Sequence, residues 1–241
     1  MTFKFPDDKY ERFYVWVPIC GAFMWCGQLL AMLLTWVGEG TPVYISESGT
    51  VPFISDIGAD ILKPLFVTGC IVTATTFVLS LVLRRRVSGR AKGWERACTY
   101  AAILGGSVGG LGLVLLSGFD TKRHWALHRH FLYIFIGGVG ASALCTVLEF
   151  RWMRARYRAA DAEDICKRLD RAFTAKAVLA LVLIAVAIAF GIENEVDPTG
   201  AILEWMIAFG FTLYFLTFAY DMRLARALDG AHPEKGEREH I

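Results

Sequence analysis

The chain has 241 residues, of which 55% are hydrophobic, and its formal net charge is +2 at neutral pH. Its mean hydropathy is +0.45, and no polar segment is long enough to bury a core of its own, which excludes an ordinary water-soluble domain. The small total charge gives no reason to expect a nucleic-acid partner.

Six apolar runs divide the chain, each about 20 residues long, which suits helices that cross the ~30 Å hydrocarbon core of a bilayer. We therefore predict an all-α polytopic membrane protein, a six-transmembrane-helix bundle that forms a single domain over residues 1–241. The predicted spans lie near 14–37, 61–83, 97–117, 131–150, 172–192 and 200–220, and residues 221–241 form a tail.

Basic residues are concentrated in alternate gaps between the spans. Twenty of the 25 Lys and Arg residues lie in the amino-terminal segment, the second gap, the fourth gap and the tail. The remaining gaps hold only Lys122, Arg123 and Arg129. Because Lys and Arg accumulate on the cytoplasmic side of a membrane, we predict that both termini and the tail are cytosolic.

Arginines in the two cytosolic gaps are candidates for contacts with lipid headgroups, since such clusters attract anionic lipids and phosphoinositides in particular. Topology alone would also place positive charge there. A protein partner at the same loops is the other candidate. The predicted contacts are Arg84, Arg85, Arg86, Arg151, Arg154, Arg156 and Arg158.

The third span contains the glycine-rich segment 105–112, in which Gly105/Gly109 and Gly106/Gly110 each have the small-xxx-small spacing that lets helices approach closely. The fourth span also carries small residues, at 137–142. We predict a packing seam between these spans, with Gly106 and Gly110 at or near the contact.

Two segments on the non-cytosolic side carry polar residues. In the first gap, Pro52, Ser55 and Asp56 suit a compact turn, because proline fixes one dihedral and short polar side chains satisfy backbone donors. We predict that this segment caps the outer end of the bundle.

In the third gap, His124 and His128 have the i, i+4 spacing that places two side chains on one helix face. With Asp56 or Asp120 they could bind zinc or act as acid and base. The pattern lacks the adjacent glutamate of a metalloprotease helix and also suits an ordinary headgroup-level interface. The sequence therefore predicts no metal ion and no cofactor.

Five charged residues lie in or directly beside the predicted spans, all within a few residues of the span ends. They are Lys63, Glu149, Lys176, Glu204 and Asp221. Ion and proton pathways usually place ionisable residues near the bilayer centre, so we do not expect a transporter.

The segments Pro52-Phe53-Ile54-Ser55-Asp56, Phe119-Asp120 with His124 and His128, and Leu203-Glu204-Trp205 resemble one superfamily of six-span membrane proteins. It comprises the damage-regulated autophagy modulators (DRAM), the FGF-receptor-activating protein and the fungal suppressor of tacrolimus sensitivity. The resemblance covers essentially the whole chain, and 52–56 is its most specific part.

The resemblance implies a non-enzymatic protein of the plasma membrane or the endolysosomal and endomembrane system. Members are linked to phosphoinositide signalling, lipid asymmetry, lipid homeostasis and autophagy. A divergent branch acts in remodelling GPI-anchor lipids, which leaves a lipid-modifying enzyme or accessory factor as the alternative, with Asp56, His124 and His128 as its catalytic residues. Under the first hypothesis the outer polar cluster is Pro52, Ser55, Asp56, Asp120, His124, His128 and Glu204.

The predicted topology is tested with protease-sensitive tags in sealed membrane vesicles. A tag after Gly40 should be protected from a protease on the cytosolic side, and a tag after Ile241 should be cleaved. Cleavage of the first tag or protection of the second would contradict the charge-based orientation.

Overall fold

The computed structural model describes residues 13–44, 50–87, 93–159, 163–192 and 198–230, and within them it contains α-helices and no strands. Every helix except α2 is long and apolar enough to cross a membrane, so the predicted all-α, six-span fold is confirmed. The helices are α1 (Trp16–Gly38), α2 (Ile54–Gly58), α3 (Lys63–Val87), α4 (Gly93–Gly118), α5 (Thr121–Ala159), α6 (Glu163–Ile192) and α7 (Pro198–Gly230).

The six long helices form a closed ring. Among them α1 packs on α3, α3 on α4, α4 on α5, α5 on α6 and α6 on α7, and α7 returns to α1. Helices α3 and α7 also contact each other across the ring. The short helix α2 lies at one end, where it contacts α1, α3, α5 and α7. We call this end the cap end and the other the arginine end, because Arg84 to Arg86 close α3 there.

Helix α5 begins ten residues earlier than the predicted start at 131. Asp120 caps it: its Oδ1 accepts the Arg123 N–H at 2.8 Å, and its carbonyl accepts the His124 N–H at 3.0 Å. The backbone leaves helical geometry at His124 (φ −137°, ψ 46°), which kinks the first turn. Hydropathy indicates which part of a helix lies in the bilayer, whereas capping and helix propensity determine where the helix starts. The polar residues 121–130 therefore belong to α5, with the kink at His124 among them.

Aromatic rings fill the centre of the bundle between α3 and α7. The Phe77 ring meets Phe211, Phe215 and Phe218 edge-on at centroid distances of 5.3, 5.5 and 5.7 Å. Such pairs contribute about 0.5–1.5 kcal/mol beyond the area that they bury. Trp25 of α1 donates its Nε1–H to the Ala208 carbonyl at 2.8 Å. Since lipid gives helices little hydrophobic reason to associate, packing and hydrogen bonds of this kind hold the ring together.

The largest helix–helix interface is the one between α4 and α5, which lies where a seam between the third and fourth spans is predicted. A Cβ added at Gly109 would lie 2.8 Å from the Val139 nitrogen, and one at Gly138 would lie 2.5 Å from the Gly109 nitrogen. Gly105 and Gly112 face α5 in the same way. The two backbones are therefore in contact.

The prediction that Gly106 and Gly110 lie at or near this contact holds for Gly106, where an added Cβ would lie 3.3 Å from Ser142 Oγ of α5, and is wrong for Gly110. Gly110 faces Val78 and Ala74 of α3, and Gly106 faces mainly Leu81 and Phe77 of α3. Both glycine pairs have the same spacing, and helix α4 is rotated so that one pair meets α5 and the other meets α3. Small residues thus allow α4 to approach two neighbours.

Gly138→Ala should destabilise the protein, because its methyl group meets the backbone of α4 and overpacking typically costs about 1–3 kcal/mol. Gly137→Ala is the matched control, since a Cβ there meets nothing within 4 Å and alanine favours the helix. Thermal unfolding in mild detergent measures both. Equal melting temperatures for the two variants would contradict the seam.

Candidate functional site: two polar ends of the bundle

Helix α2 is held on the cap end by hydrogen bonds to its backbone. Glu204 Oε2 accepts the Ile54 N–H at 2.8 Å, and Trp205 donates its Nε1–H to the Pro52 carbonyl at 3.0 Å. Asp56 Oδ2 accepts the Phe53 N–H at 3.0 Å. The first N–H groups of a helix have no partner within it, and these two carboxylates supply partners. The segment thus caps one end of the bundle as predicted, with the Asp56 carboxylate bound to a backbone amide.

Asp120 joins the starts of α3 and α5. It forms an ion pair with Lys63, in addition to its bond with the Arg123 N–H. Burial acts to raise the pKa of Asp120, but the Lys63 ammonium and the Arg123 amide outweigh burial and lower it. The ion pair therefore stabilises the fold fully at pH values above the ordinary pKa of about 3.9. This stabilisation is lost as the pH falls through the lowered pKa of Asp120, because the carboxylate is then protonated. Asp120 is thus charged at neutral pH.

His128 closes the end of α4. Its Nδ1 lies 2.8 Å from the Leu116 carbonyl oxygen and 3.0 Å from that of Phe119. Two carbonyl neighbours require a proton on Nδ1, which donates to a carbonyl in the last turn of α4 and to the Phe119 carbonyl just after it. His128 is 4% exposed. His128 therefore serves the turn between α4 and α5.

His124 does not join His128 as the i, i+4 spacing predicts. The kink places it on the surface, with its ring edge-on to Phe119 at a centroid distance of 5.5 Å. Within the described residues, no group of three or more metal-ligating side chains converges. Asp56 accepts a backbone N–H at α2, His128 is buried against the end of α4, and His124 is exposed. Of the predicted outer cluster, Pro52, Asp56 and Glu204 meet at α2, where Ser55 is also buried.

Four charged side chains lie buried toward the arginine end, one each from α3, α5, α6 and α7. Arg84 forms an ion pair with Glu149, and Lys176 Nζ lies 2.9 Å from Asp221 Oδ2. Each of the four is at most 3% exposed. We call Arg84, Glu149, Lys176 and Asp221 the charge quartet. Its formal charge is zero, so each ion has a counter-ion and the helices carrying them are linked in pairs.

The surroundings of the charge quartet are aromatic. Lys176 Nζ lies 4.1 Å from the ring centroid of Phe218 and 5.1 Å from that of Tyr214, and it donates to Thr217 Oγ1. The Arg84 guanidinium lies 5.7 Å from the Phe150 centroid. Cations over ring faces gain roughly 2 kcal/mol when desolvated. The rings therefore stabilise the positive members where water is excluded.

The prediction of Arg84 as a headgroup contact is corrected by its burial. Phe77, Ser80 and Leu81, which lie seven, four and three residues earlier, are buried on the same helix face. Arg84 continues that face, whereas Arg85 and Arg86 are rotated by about 100° and 200° from it. Helical periodicity in the sequence therefore already indicated that Arg84 is buried. Counting charges near span ends, without asking which face they occupy, missed the quartet.

The other predicted headgroup contacts lie around the arginine end. Arg86 and Arg151 are exposed, and Arg85 stands 5.7 Å from the Tyr100 ring centroid. Arg154 and Arg158 each lie 3.2 Å from a carboxylate oxygen of Asp170. The side chain of Arg156 lies outside the described residues. Exposed arginines at the same end that the sequence did not single out as contacts are Arg96, Arg168, Arg171 and Arg223.

Six helices that are long and apolar enough to cross a bilayer define a multi-pass α-helical membrane protein. Residues 13–225 match the family model described as Frag1/DRAM/Sfk1/Cwh43P N-terminal domain, and the chain belongs to this family. It is 24% identical over 274 aligned residues to Protein SFK1 of Saccharomyces cerevisiae, an alignment that covers 86% of this chain and 77% of that protein. No solved structure matches the chain. The resemblance noted in the sequence is thus confirmed.

Glu149→Gln should lower stability sharply, because it leaves the Arg84 guanidinium buried without its counter-ion, a change that typically costs about 3–5 kcal/mol. Asp170→Asn is the control, since Asp170 pairs with partly exposed Arg154 and Arg158 and surface pairs contribute about 0–1 kcal/mol. Thermal unfolding of purified protein and steady-state abundance in cells measure the difference. A Glu149→Gln protein as stable as Asp170→Asn would contradict the pairing.

Proposed function

We propose that the protein is a non-enzymatic membrane protein that binds anionic lipid headgroups at its arginine end and thereby organises lipids in its membrane. We expect it to prefer phosphoinositides over other anionic lipids, because they present several phosphate charges at the membrane surface. The observation that carries the proposal is the set of exposed arginines, including Arg86 and Arg151, around an end whose buried charges cancel.

Cancellation within the charge quartet matters for this proposal. Four buried charges that sum to zero add little to the potential outside the bundle, so the exposed arginines determine it. Each Lys or Arg near an anionic membrane surface is worth about 1 kcal/mol. A rim of such side chains therefore holds anionic lipid without an enclosed pocket.

The same arginines indicate how the protein is oriented in the membrane and in which membranes it acts. We infer that the arginine end faces the cytosol, because the positive-inside bias places Lys- and Arg-rich segments there, and with it both termini. A cytosolic face with anionic lipid is found at the plasma membrane and at endolysosomal membranes, where the family resemblance also points. Roles in lipid asymmetry, lipid homeostasis or autophagy would follow from the lipid that is held there.

Geometry gives less support to the enzymatic alternative in GPI-anchor remodelling. Asp56 and Glu204 are engaged in capping backbone N–H groups, and His124 is exposed. General acid–base catalysis needs its groups within hydrogen-bond reach of one reacting atom. A protein partner at the cytosolic loops remains the alternative to lipid at the arginine end.

Replacing Arg86 and Arg151 together by Gln should weaken binding of a soluble, fluorescent phosphatidylinositol bisphosphate to the purified protein. Two surface charges of about 1 kcal/mol each correspond to a loss on the order of 30-fold. The loss should shrink as salt rises to about 0.5 M, because screening removes the interaction in the unchanged protein as well. Fluorescence anisotropy at low and high salt gives the affinities.

The matched control is Lys122→Gln with Arg123→Gln, which removes the same charge from the cap end. It should leave the affinity unchanged. If the two double variants lose affinity equally, the attraction is a property of net charge. Unchanged binding by the Arg86 and Arg151 variant at low salt would contradict the lipid role and favour a protein partner.

A further inference from the structure

Glu204 is a buried acidic side chain that has no counter-ion among the described residues. It is 8% exposed and lies in the second turn of α7, inside a span. Its Oε2 accepts the Ile54 N–H at 2.8 Å, and within the described chain this is its only hydrogen-bond partner. Glu149 and Asp221, which are buried at the arginine end, each have a cation beside them. Glu204 is therefore in a different electrostatic situation.

The helices around Glu204 bring no positive charge to it. Helix α1 has no charged side chain, and α6 has none between Lys176 and its cap-side end. On α3, Lys63 is paired with Asp120. His128 of α5 donates to carbonyl groups at the end of α4. Within the part of the chain that the structure describes, nothing therefore balances a negative charge at this position.

The surroundings of the Glu204 side chain are apolar. A cavity of about 40 Å³ lies between Ile54 of α2 and the long helices, and Glu204 is in its wall. Every other side chain of this wall is hydrophobic. Trp25 is one of them, and its indole N–H is already donated to the Ala208 carbonyl. An ionised carboxylate would lack the donors that replace water around an ion.

A second carboxyl group, that of Asp56, lies next to Glu204. Asp56 accepts the Phe53 N–H at 3.0 Å, and Glu204 accepts the N–H of the following residue, Ile54. Two like charges held at adjacent backbone groups disfavour ionisation of both. Asp56 has interactions besides this hydrogen bond, whereas Glu204 has one N–H and an apolar wall. Of the two groups, Glu204 is therefore the one that favours the neutral form.

We propose that Glu204 binds a proton at neutral pH in the folded protein and that this proton holds α2 in place as a cap. A neutral carboxyl group still accepts the Ile54 N–H, because its carbonyl oxygen keeps its lone pairs. A charged one would face the hydrophobic wall with a single hydrogen bond, which does not offset the loss of water around an ion.

The position of α2 makes the cap sensitive to this proton. Ile54 covers the cavity, and its N–H is bound to Glu204. When Glu204 loses its proton at alkaline pH, the new charge needs water, and water reaches it when α2 moves away from α7. The cap is therefore held more firmly at acidic and neutral pH than at alkaline pH.

This proton site is independent of the proposed lipid contacts. It lies at the cap end, whereas Arg86 and Arg151 lie at the arginine end. Its chemistry also differs from that of the charge quartet, in which each ion is balanced by an ion of opposite sign. A failure of phosphoinositide binding would leave it unaffected, and the reverse also holds.

Infrared spectroscopy of the detergent-purified protein in heavy water at neutral pH tests protonation directly. A neutral carboxylic acid has a C=O stretching band that is separate from the carboxylate and amide bands. The unchanged protein should show this band, and Glu204→Gln should lose it. Absence of the band from the unchanged protein, or a band of full intensity in Glu204→Gln, would overturn the proposal. The first of these outcomes needs no variant.

The pH dependence of stability is the second test, with Glu204→Gln as a permanently neutral copy of the protonated side chain. In the unfolded chain the carboxyl group ionises near its ordinary pKa of about 4.3. Above that pH only the folded state holds the proton, so the unchanged protein loses stability relative to Glu204→Gln as the pH rises. The ratio of their unfolding constants should increase on the order of 100-fold between about pH 5 and 7. A flat or falling ratio means an ionised Glu204 and overturns the proposal.

Glu163→Gln is the matched control. Glu163 is exposed and pairs with Lys167, so its folded and unfolded states bind a proton alike and its ratio to the unchanged protein should stay flat. Denaturant titration in one detergent measures all three proteins. A loss of stability in Glu204→Gln at neutral pH as large as that expected for Glu149→Gln would show that Glu204 acts as an ion, and would also contradict the proposal.

Hydrogen exchange at Ile54 tests the link between the proton and the cap. Its protection, corrected for the intrinsic rise of exchange with pH, should fall at alkaline pH in the unchanged protein and stay constant in Glu204→Gln. Mass spectrometry of a short peptide that contains Ile54 gives the rates. Equal protection in the two proteins over the whole pH range would overturn the role of the proton in holding α2.

Discussion

Burying Arg84, Glu149, Lys176 and Asp221 among apolar helices is the constraint on which the arrangement of the bundle depends. An ion transferred alone from water into a medium of low polarity costs many kilocalories per mole, so each of the four needs its partner in place. Arg84 and Glu149 link α3 to α5, and Lys176 and Asp221 link α6 to α7. Helix α6, which is otherwise little buried, is fixed by its lysine. The pairs specify which helix faces meet.

At the cap end, backbone N–H and C=O groups are the ones that need partners. Glu204 and Asp56 accept N–H groups at the start of α2, and His128 donates to carbonyls at the end of α4. Backbone groups near a bilayer have little water to bond with, so an irregular segment is stable there only when side chains provide partners. Between the two polar ends, rings around Phe77 and the close contact of α4 with α5 occupy the apolar depth. At both ends of the bundle, buried charges and helix-terminal backbone groups are thus paired with other groups of the protein.

The sequence predicted the spans well because a helix needs about 20 apolar residues to cross the hydrocarbon core of a bilayer, and such runs are visible in the hydropathy. It predicted the cap at Pro52–Asp56 because proline and short polar residues have local consequences. The start of α5 could not be located this way, since residues 121–130 are too polar for a span yet are capped into helix by Asp120. Which glycine pair of α4 meets α5 depends on the rotation of the helix, and identical spacings cannot reveal it. The partners of Arg84 and Lys176 are 65 and 45 residues away in the chain, so only the packed fold brings them together.

A double-mutant cycle across Lys176 and Asp221 tests the central claim most directly. The free energies of unfolding of Lys176→Met, Asp221→Leu and the double variant would be measured in the same detergent by denaturant titration. Each single variant leaves one buried ion unpaired, whereas the double variant leaves none. The two ions in contact should therefore show a coupling energy of at least about 2 kcal/mol, with the double variant more stable than either single one. Additive losses, with no coupling between the two positions, would contradict an ion pair that holds α6 to α7.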